Sequence, residues 1–184
     1  PRMIADIVSG CARACRAAGC ALLGGETAEM PGVYADGQFD IAGTIVGVVE
    51  RDRMLPLPTV TAGDVALGLP SSGPHTNGYS LIRRLVADMP LETVVPGVGV
   101  LGEALLRPHR SYLATVRRLR ARAPIKALAH ITGGGLIENT PRVFPEGVSL
   151  RLVRGSWPVP PLFSFLQDTG HIAEREMYRV FNMG

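Results

Sequence analysis

When residues 4–18 are wound at about 3.6 residues per turn, Ile4, Ile7, Val8, Cys11, Cys15 and Ala18 fall on one stripe, which predicts an amphipathic helix. Gly19 is placed to end that helix in a left-handed cap. The pattern then tightens. Cys20 to Leu23 reads as a short apolar strand, and Phe39 to Glu50, rich in Ile and Val, as a long one with Gly43 and Gly47 inside it. Turn signals at Pro31-Gly32 and Asp36-Gly37 lie between them. Residues 51–63 carry two prolines and little pattern, so a domain boundary is expected there, dividing the chain at about residues 60 and 61. Further strands are expected at Val65 to Leu69, Ala127 to His130 and Val148 to Val153. Helices are expected at Tyr79 to Ala87, Ser111 to Arg122 (Tyr112, Val116 and Leu119 inward), from Leu136, at Leu162 to Gln167 and at Glu174 to Phe181. Residues 92–102 read as a Gly/Pro/Val-rich loop. Strands alternating with helices, and running straight into glycine-rich loops, define an α/β (α+β) chain.

Composition adds limits. Of 184 residues, 46% are hydrophobic and 19% charged, enough apolar mass for a core. No apolar run approaches the roughly 18 residues needed to span a bilayer. Nor does the start read as a leader, so a cytoplasmic protein with no membrane partner is expected. The chain opens on Pro1 and stops at Gly184 without a closing element, which is read as truncation at both ends. The net charge of +3 is almost all arginine, with Lys126 the single lysine. Arg110, Arg117, Arg118, Arg120 and Arg122 cluster. They read as a solvated helix face, as a contact to an anionic ligand or partner subunit, or as a nucleic-acid patch. The last is disfavoured because no aromatic residues interleave with them. Cys11, Cys15 and Cys20 follow a C-x3-C-x4-C spacing without a nearby histidine. That is no zinc pattern, and Cys11 and Cys15 are expected to be small buried hydrophobes.

Three strand-to-loop junctions carry the candidate chemistry. At Gly24-Gly25-Glu26-Thr27-Ala28-Glu29, two glycines let backbone N–H groups approach an anion, and Glu26 and Glu29 are carboxylates of which one suits a magnesium ion on phosphates. The same spacing also suits a tight turn with acidic residues at a helix start. At Pro70 to Ser80, Ser71, Ser72, Thr76 and Asn77 supply donors ahead of a helix, in keeping with a phosphate or sugar-phosphate site that is not a Walker A loop. His75 within it is a candidate proton donor or carbonyl-polarising group, or a structural loop histidine. At His130 to Asn139, a strand feeds Gly133, Gly134 and Gly135 at a helix start, as in a phosphate cradle or an ordinary flexible turn, with His130 expected to be buried.

These segments resemble one family. Gly24 to Gly32, Gly63-Asp64-Val65, Leu69 to Ser80, His130 to Leu136 and Glu176 to Gly184 are similar to the signatures of aminoimidazole ribonucleotide synthetases, in family order and spacing. The resemblance implies two mixed-sheet domains backed by helices, the first represented here only by its C-terminal part (1–60) and the second (61–184) lacking its last portion. It implies a homodimer. It also implies ATP- and Mg²⁺-dependent ring closure of formylglycinamidine ribonucleotide to aminoimidazole ribonucleotide, with ADP and phosphate released. Phosphoryl transfer would make an amide oxygen a leaving group, and the amidine nitrogen would then close the imidazole. On that reading Gly24, Gly25, Glu26 and Thr27 hold the nucleotide, with Glu26 on the metal. Ser71, Ser72, Gly73, His75, Thr76, Asn77 and the Gly133–Gly135 loop bind substrate. His75 polarises or protonates the reacting oxygen. The family's upstream lysine-containing loop and acidic cluster are not in this chain, so the 184 residues alone are expected to be inactive. The rival readings are another ATP-dependent enzyme of the same superfamily, of the formylglycinamidine ribonucleotide synthase, thiamine-monophosphate kinase or selenophosphate synthetase type, and a non-catalytic nucleotide-binding module. An RNA-binding role through residues 117–122 is more distant.

Overall fold

Helix α1, Arg2–Ala18, ends as its glycine requires. Gly19 takes φ 71°, its N–H donates to Arg16 O (3.2 Å), and the Cys20 N–H donates to Cys15 O (3.0 Å). That pair of bonds is a Schellman motif, and it satisfies carbonyls that a helix end otherwise strands. The computed structural model describes residues 2–55 and 59–184, and these form two units, one up to Arg53 and one from Met54. Pro56 and Pro58, part of the reason for expecting a boundary, lie outside the described residues.

In the first unit the helix forms but its stripe is not covered. No residue of α1 is buried, Val8 is half exposed, Cys11 is exposed, and Cys15 is half-buried. The expectation that Cys11 and Cys15 are buried hydrophobes is therefore corrected. A helical stripe is buried only when a second apolar layer lies over it, and the described residues of this unit supply none. The strands expected at Cys20–Leu23 and Phe39–Glu50 do not form ladders either. Ile45 and Val46 are 87% exposed, and the only pairing among the unit's described residues is an isolated bridge between Pro31 and Tyr34. A strand is defined by a neighbour that takes its N–H and C=O groups, and apolar alternation alone does not provide one.

The second unit holds the core. Helix α2 (Tyr79–Leu85), strands β1 (Val94–Val95) and β2 (Gly99–Val100), and helices α3 (Leu101–Leu105), α4 (Leu113–Arg120), α5 (Gly135–Asn139), α6 (Pro161–Gly170) and α7 (Glu174–Val180) follow in order. The mixture of helices with one small antiparallel sheet is of the α/β class. The β1–β2 hairpin lies where a loop was expected, and α3 starts at the end of that segment. Val95-Pro96-Gly97-Val98 closes through Val98 N–H to Val95 O at 3.0 Å, with Pro96 second and Gly97 third at φ 75°, which is a type II turn. Pro96-Gly97 is the signal that a loop assignment passes over. Conversely, the strands expected at Val65–Leu69, Ala127–His130 and Val148–Val153 form no ladder, and Val65 and Leu67 are exposed.

Ile82, Leu101, Phe163, Leu166, Met177 and Phe181 are almost wholly buried. The Phe163 and Phe181 rings pack with centroids 5.8 Å apart. Pro161 opens α6 at a position where its missing N–H costs nothing. α7 lies against α5, and the packing is close enough to dictate residue type at Gly135, where a Cβ would stand 2.0 Å from Tyr178 O. This junction holds the polyglycine loop in place beside the His75 loop.

Candidate functional site

The loop between Leu69 and α2 is built from the inside out. Gly73 and Pro74 are buried, and the Asn182 amide, also buried, donates to Gly73 O at 2.8 Å across 109 residues. The Ser71 hydroxyl donates to the same carbonyl at 3.1 Å and accepts the Gly73 N–H at 3.4 Å. Gly78 caps α2 at φ 81°, and a Cβ there would meet the Phe181 ring at 2.4 Å. These contacts force His75 into the left-handed region, φ 60°, which a non-glycine residue adopts at a cost of about 1–2 kcal/mol. Strain of this kind persists only where its surroundings over-determine it.

His75 is 8% exposed. Its Nε2 accepts the Ser72 N–H at 3.1 Å, so the neutral ring carries its proton on Nδ1. Burial, with the imidazoles of His109 and then His130 beside it, pushes its pKa down to about 4. At neutral pH His75 is therefore an uncharged donor through Nδ1–H, suited to polarising an oxygen rather than delivering a proton as an imidazolium. The His109 ring stacks on it with centroids 3.9 Å apart, and the Tyr112 ring stands edge-on at 6.1 Å. His130 lies 5.6 Å from His109 and is exposed, which corrects the expectation of burial at a strand end.

The polyglycine loop meets this one through a single bond. Asn77 Oδ1 accepts the Gly133 N–H at 3.0 Å. Asn139 organises the rest, its amide donating to the carbonyls of Thr132 (3.3 Å), Gly133 (3.1 Å) and Gly135 (2.9 Å) while its Oδ1 accepts from the Thr132 hydroxyl (3.2 Å). The three glycines are not equivalent. Gly134 (φ 98°) and Gly135 (φ 57°) are required by backbone conformation and by the proximity of Glu138 and Tyr178, whereas a Cβ on Gly133 would meet only Asn77 Oδ1 at 3.6 Å.

Ser71, Ser72, Gly73, His75, Asn77 and Gly133 to Gly135 are thus brought into one neighbourhood, while Thr76 is exposed at its edge. The Ser71 and Ser72 hydroxyls are spent on the chain itself, the latter on Pro108 O at 2.8 Å. Gly24, Gly25, Glu26 and Thr27 belong to the first unit and are exposed. A Cβ on Gly24 or Gly25 would meet nothing within 4 Å, so the chain's own packing does not explain either glycine. Among the described residues no three His, Cys, Asp or Glu side chains gather as a metal site. No described helix is long and apolar enough to cross a membrane. His109, Asn139 and Asn182 were not singled out by sequence reasoning. Each acts through a partner distant along the chain or through backbone carbonyls, and spacing carries no trace of that.

Mixed helix and sheet, with glycine-dictated loops set against helix starts, place the chain among the α/β proteins. It belongs to the AIR synthase related family: the model for the C-terminal domain of AIR synthase related proteins matches residues 61–184, and that for the N-terminal domain matches residues 1–49. It is 53% identical over 188 residues to the phosphoribosylformylglycinamidine cyclo-ligase of Geobacillus thermodenitrificans, covering 100% of this chain and 54% of that protein. The proteins of the same name from Desulfitobacterium hafniense (51% over 185 residues; 100% of this chain, 55% of that one) and Nitrosospira multiformis (49% over 179; 97% and 51%) are similarly close. The chain spans about half the length of these curated relatives.

Proposed function

We propose that this chain carries part of the machinery for the ATP-dependent closure of formylglycinamidine ribonucleotide to aminoimidazole ribonucleotide, in a cytoplasmic homodimer acting in purine biosynthesis. The observation that carries the reading is His75, a buried, neutral imidazole held at a strained loop position with Nδ1 protonated. The relatives' name, a cyclo-ligase acting on phosphoribosylformylglycinamidine, supplies the reaction. ATP contributes the phosphoryl group that makes the amide oxygen a leaving group. The chain's part is to hold and polarise. Nδ1–H of His75 donates to the oxygen on which negative charge develops, a contribution of the oxyanion-stabilising kind worth about 10²–10³ in rate. Thr76 and the backbone around Asn77 and Gly133 orient the ribonucleotide.

The Gly24–Thr27 loop suits the nucleotide. Its glycines leave the backbone open to approach, and Glu26 with Glu29 gives the one or two carboxylates that Mg²⁺ on phosphates takes. In protein expressed from the complete reading frame, His75→Ala should lower kcat about 10²-fold with KM changed much less. Turnover at the wild-type rate would remove His75 from the mechanism. Tight nucleotide binding without any turnover by the wild type would instead mark a binding module.

A further inference from the structure

His109 and its neighbours have no role in the reading above, yet they fix the His75 loop. The Ser72 hydroxyl donates to Pro108 O at 2.8 Å, and Arg110 Nη1 and the Tyr112 hydroxyl both donate to Pro70 O at 3.1 Å. Residues 108–112 thus form a strap tied to residues 70–72 at three points. Between those ties the His109 ring lies flat on His75, 16° from parallel. The Ser72 N–H grips one edge of the His75 ring, at Nε2, and the stack covers one of its faces. Together they leave the imidazole little freedom to turn.

We propose that His109 is a positioning residue for His75, its stacked ring holding the His75 imidazole with Nε2 toward Ser72 and Nδ1–H toward the reacting oxygen. The inference rests on the reading of His75 as the group that acts on the substrate. The surroundings agree with it. The titratable groups facing His75 are His109, His130 and Tyr112, with Arg110 held at Pro70; none is an anion that would favour imidazolium. A charge on the buried His75 ring would be poorly solvated, and would meet a like charge whenever His109 or His130 is also protonated, so the cluster favours the neutral donor.

The test compares His109→Ala and His109→Phe in protein from the complete reading frame, with the His75 C2–H signal followed by NMR between pH 5 and 8. In the wild type that signal should not titrate in this window. H109A should cut kcat about tenfold or more with little change in KM, since small misplacement of a reacting group is costly. It should also bring the His75 titration up into the window, by about one pH unit or more. H109F keeps a flat ring and should restore most of kcat. If H109A does not fold, His109→Gln makes the same comparison. A kcat within twofold of wild type, an unmoved His75 signal, or H109F as impaired as the ring-less variant would each overturn the positioning role. The two readings fail separately: full turnover by H75A sinks the role of His75, whereas an inactive H75A beside an unimpaired H109A sinks only that of His109.

Discussion

Replacing Gly135 by alanine tests whether the polyglycine loop is shaped by packing as well as by a ligand. At φ 57° an alanine pays about 1–2 kcal/mol for the left-handed backbone alone. Its Cβ would lie 2.0 Å from Tyr178 O, 2.7 Å from Tyr178 C and 3.0 Å from Phe181 O. These are backbone atoms of α7 and its exit and cannot rotate aside, so α5 and α7 must part by roughly 1 Å. Overpacking of that kind costs about 1–3 kcal/mol more. The sum, about 2–5 kcal/mol, is a large part of a domain's typical stability. The single tryptophan is well placed to read it. Trp157 packs edge-on to Tyr178 with centroids 6.3 Å apart, and its indole N–H donates to Met183 O at 3.0 Å. Urea unfolding followed by Trp157 fluorescence should show a midpoint lowered by about 1–2.5 M in G135A, for a slope of about 2 kcal/mol/M. Gly133→Ala is the control, with one neighbour at an ordinary 3.6 Å and no left-handed backbone, and should stay within about 1 kcal/mol of wild type. If G135A is as stable as G133A, the close α5–α7 approach is wrong.

Asn139→Asp keeps the shape but turns a donor to three carbonyls into an acceptor, and should destabilise by about 2–4 kcal/mol in the same assay; a loss under 1 kcal/mol would mean the network is not formed. The His75 pKa of about 4 lies below the ordinary 6.5, so the unfolded chain binds the extra proton between those values. Stability should be fully present above pH 6.5 and be lost as pH falls through about 4. The linkage limit of about 3 kcal/mol is reduced by solvent at the exposed His109 side to about 1–2 kcal/mol. In H75A the acid slope in that window should flatten, and an unchanged slope would assign it to other groups. Cys11 and Cys20 are exposed free thiols and should react with a disulfide reagent in native protein, Cys15 more slowly because its hydrogen bond with Cys20 raises its pKa; protection of Cys11 would indicate that its helix face is covered.

Helices were the legible part of the fold. α1 and its cap at Gly19 follow from local periodicity and one glycine, and α2, α4, α6 and α7 lie within a few residues of where their patterns place them. A helix closes its hydrogen bonds within its own segment, so its signal is local. Phe39–Glu50 shows the contrary case: its Ile and Val content reads as a strand, but a strand's bonds belong to a partner, and no ladder forms there. The hairpin at Val94–Val100 was passed over because two-residue strands are too short for periodicity to register, leaving only Pro96-Gly97 as a trace.

For the site, the sequence alone picked out the candidate segments. The family was legible, and the glycine-rich loops and His75 stood out as candidates, because backbone approach and donor chemistry demand particular residue types in contiguous runs. What only the tertiary structure decided is how those runs meet. It set Asn77 on Gly133 across 56 residues, Asn182 on Gly73 across 109, and His109 flat against His75. It also divided the glycines, explaining Gly134 and Gly135 by the chain's own packing and showing no such contact at Gly24 or Gly25. The physical reason is that proton state, ring orientation and steric need at a residue arise from neighbours brought close by packing, and linear order does not encode those distances.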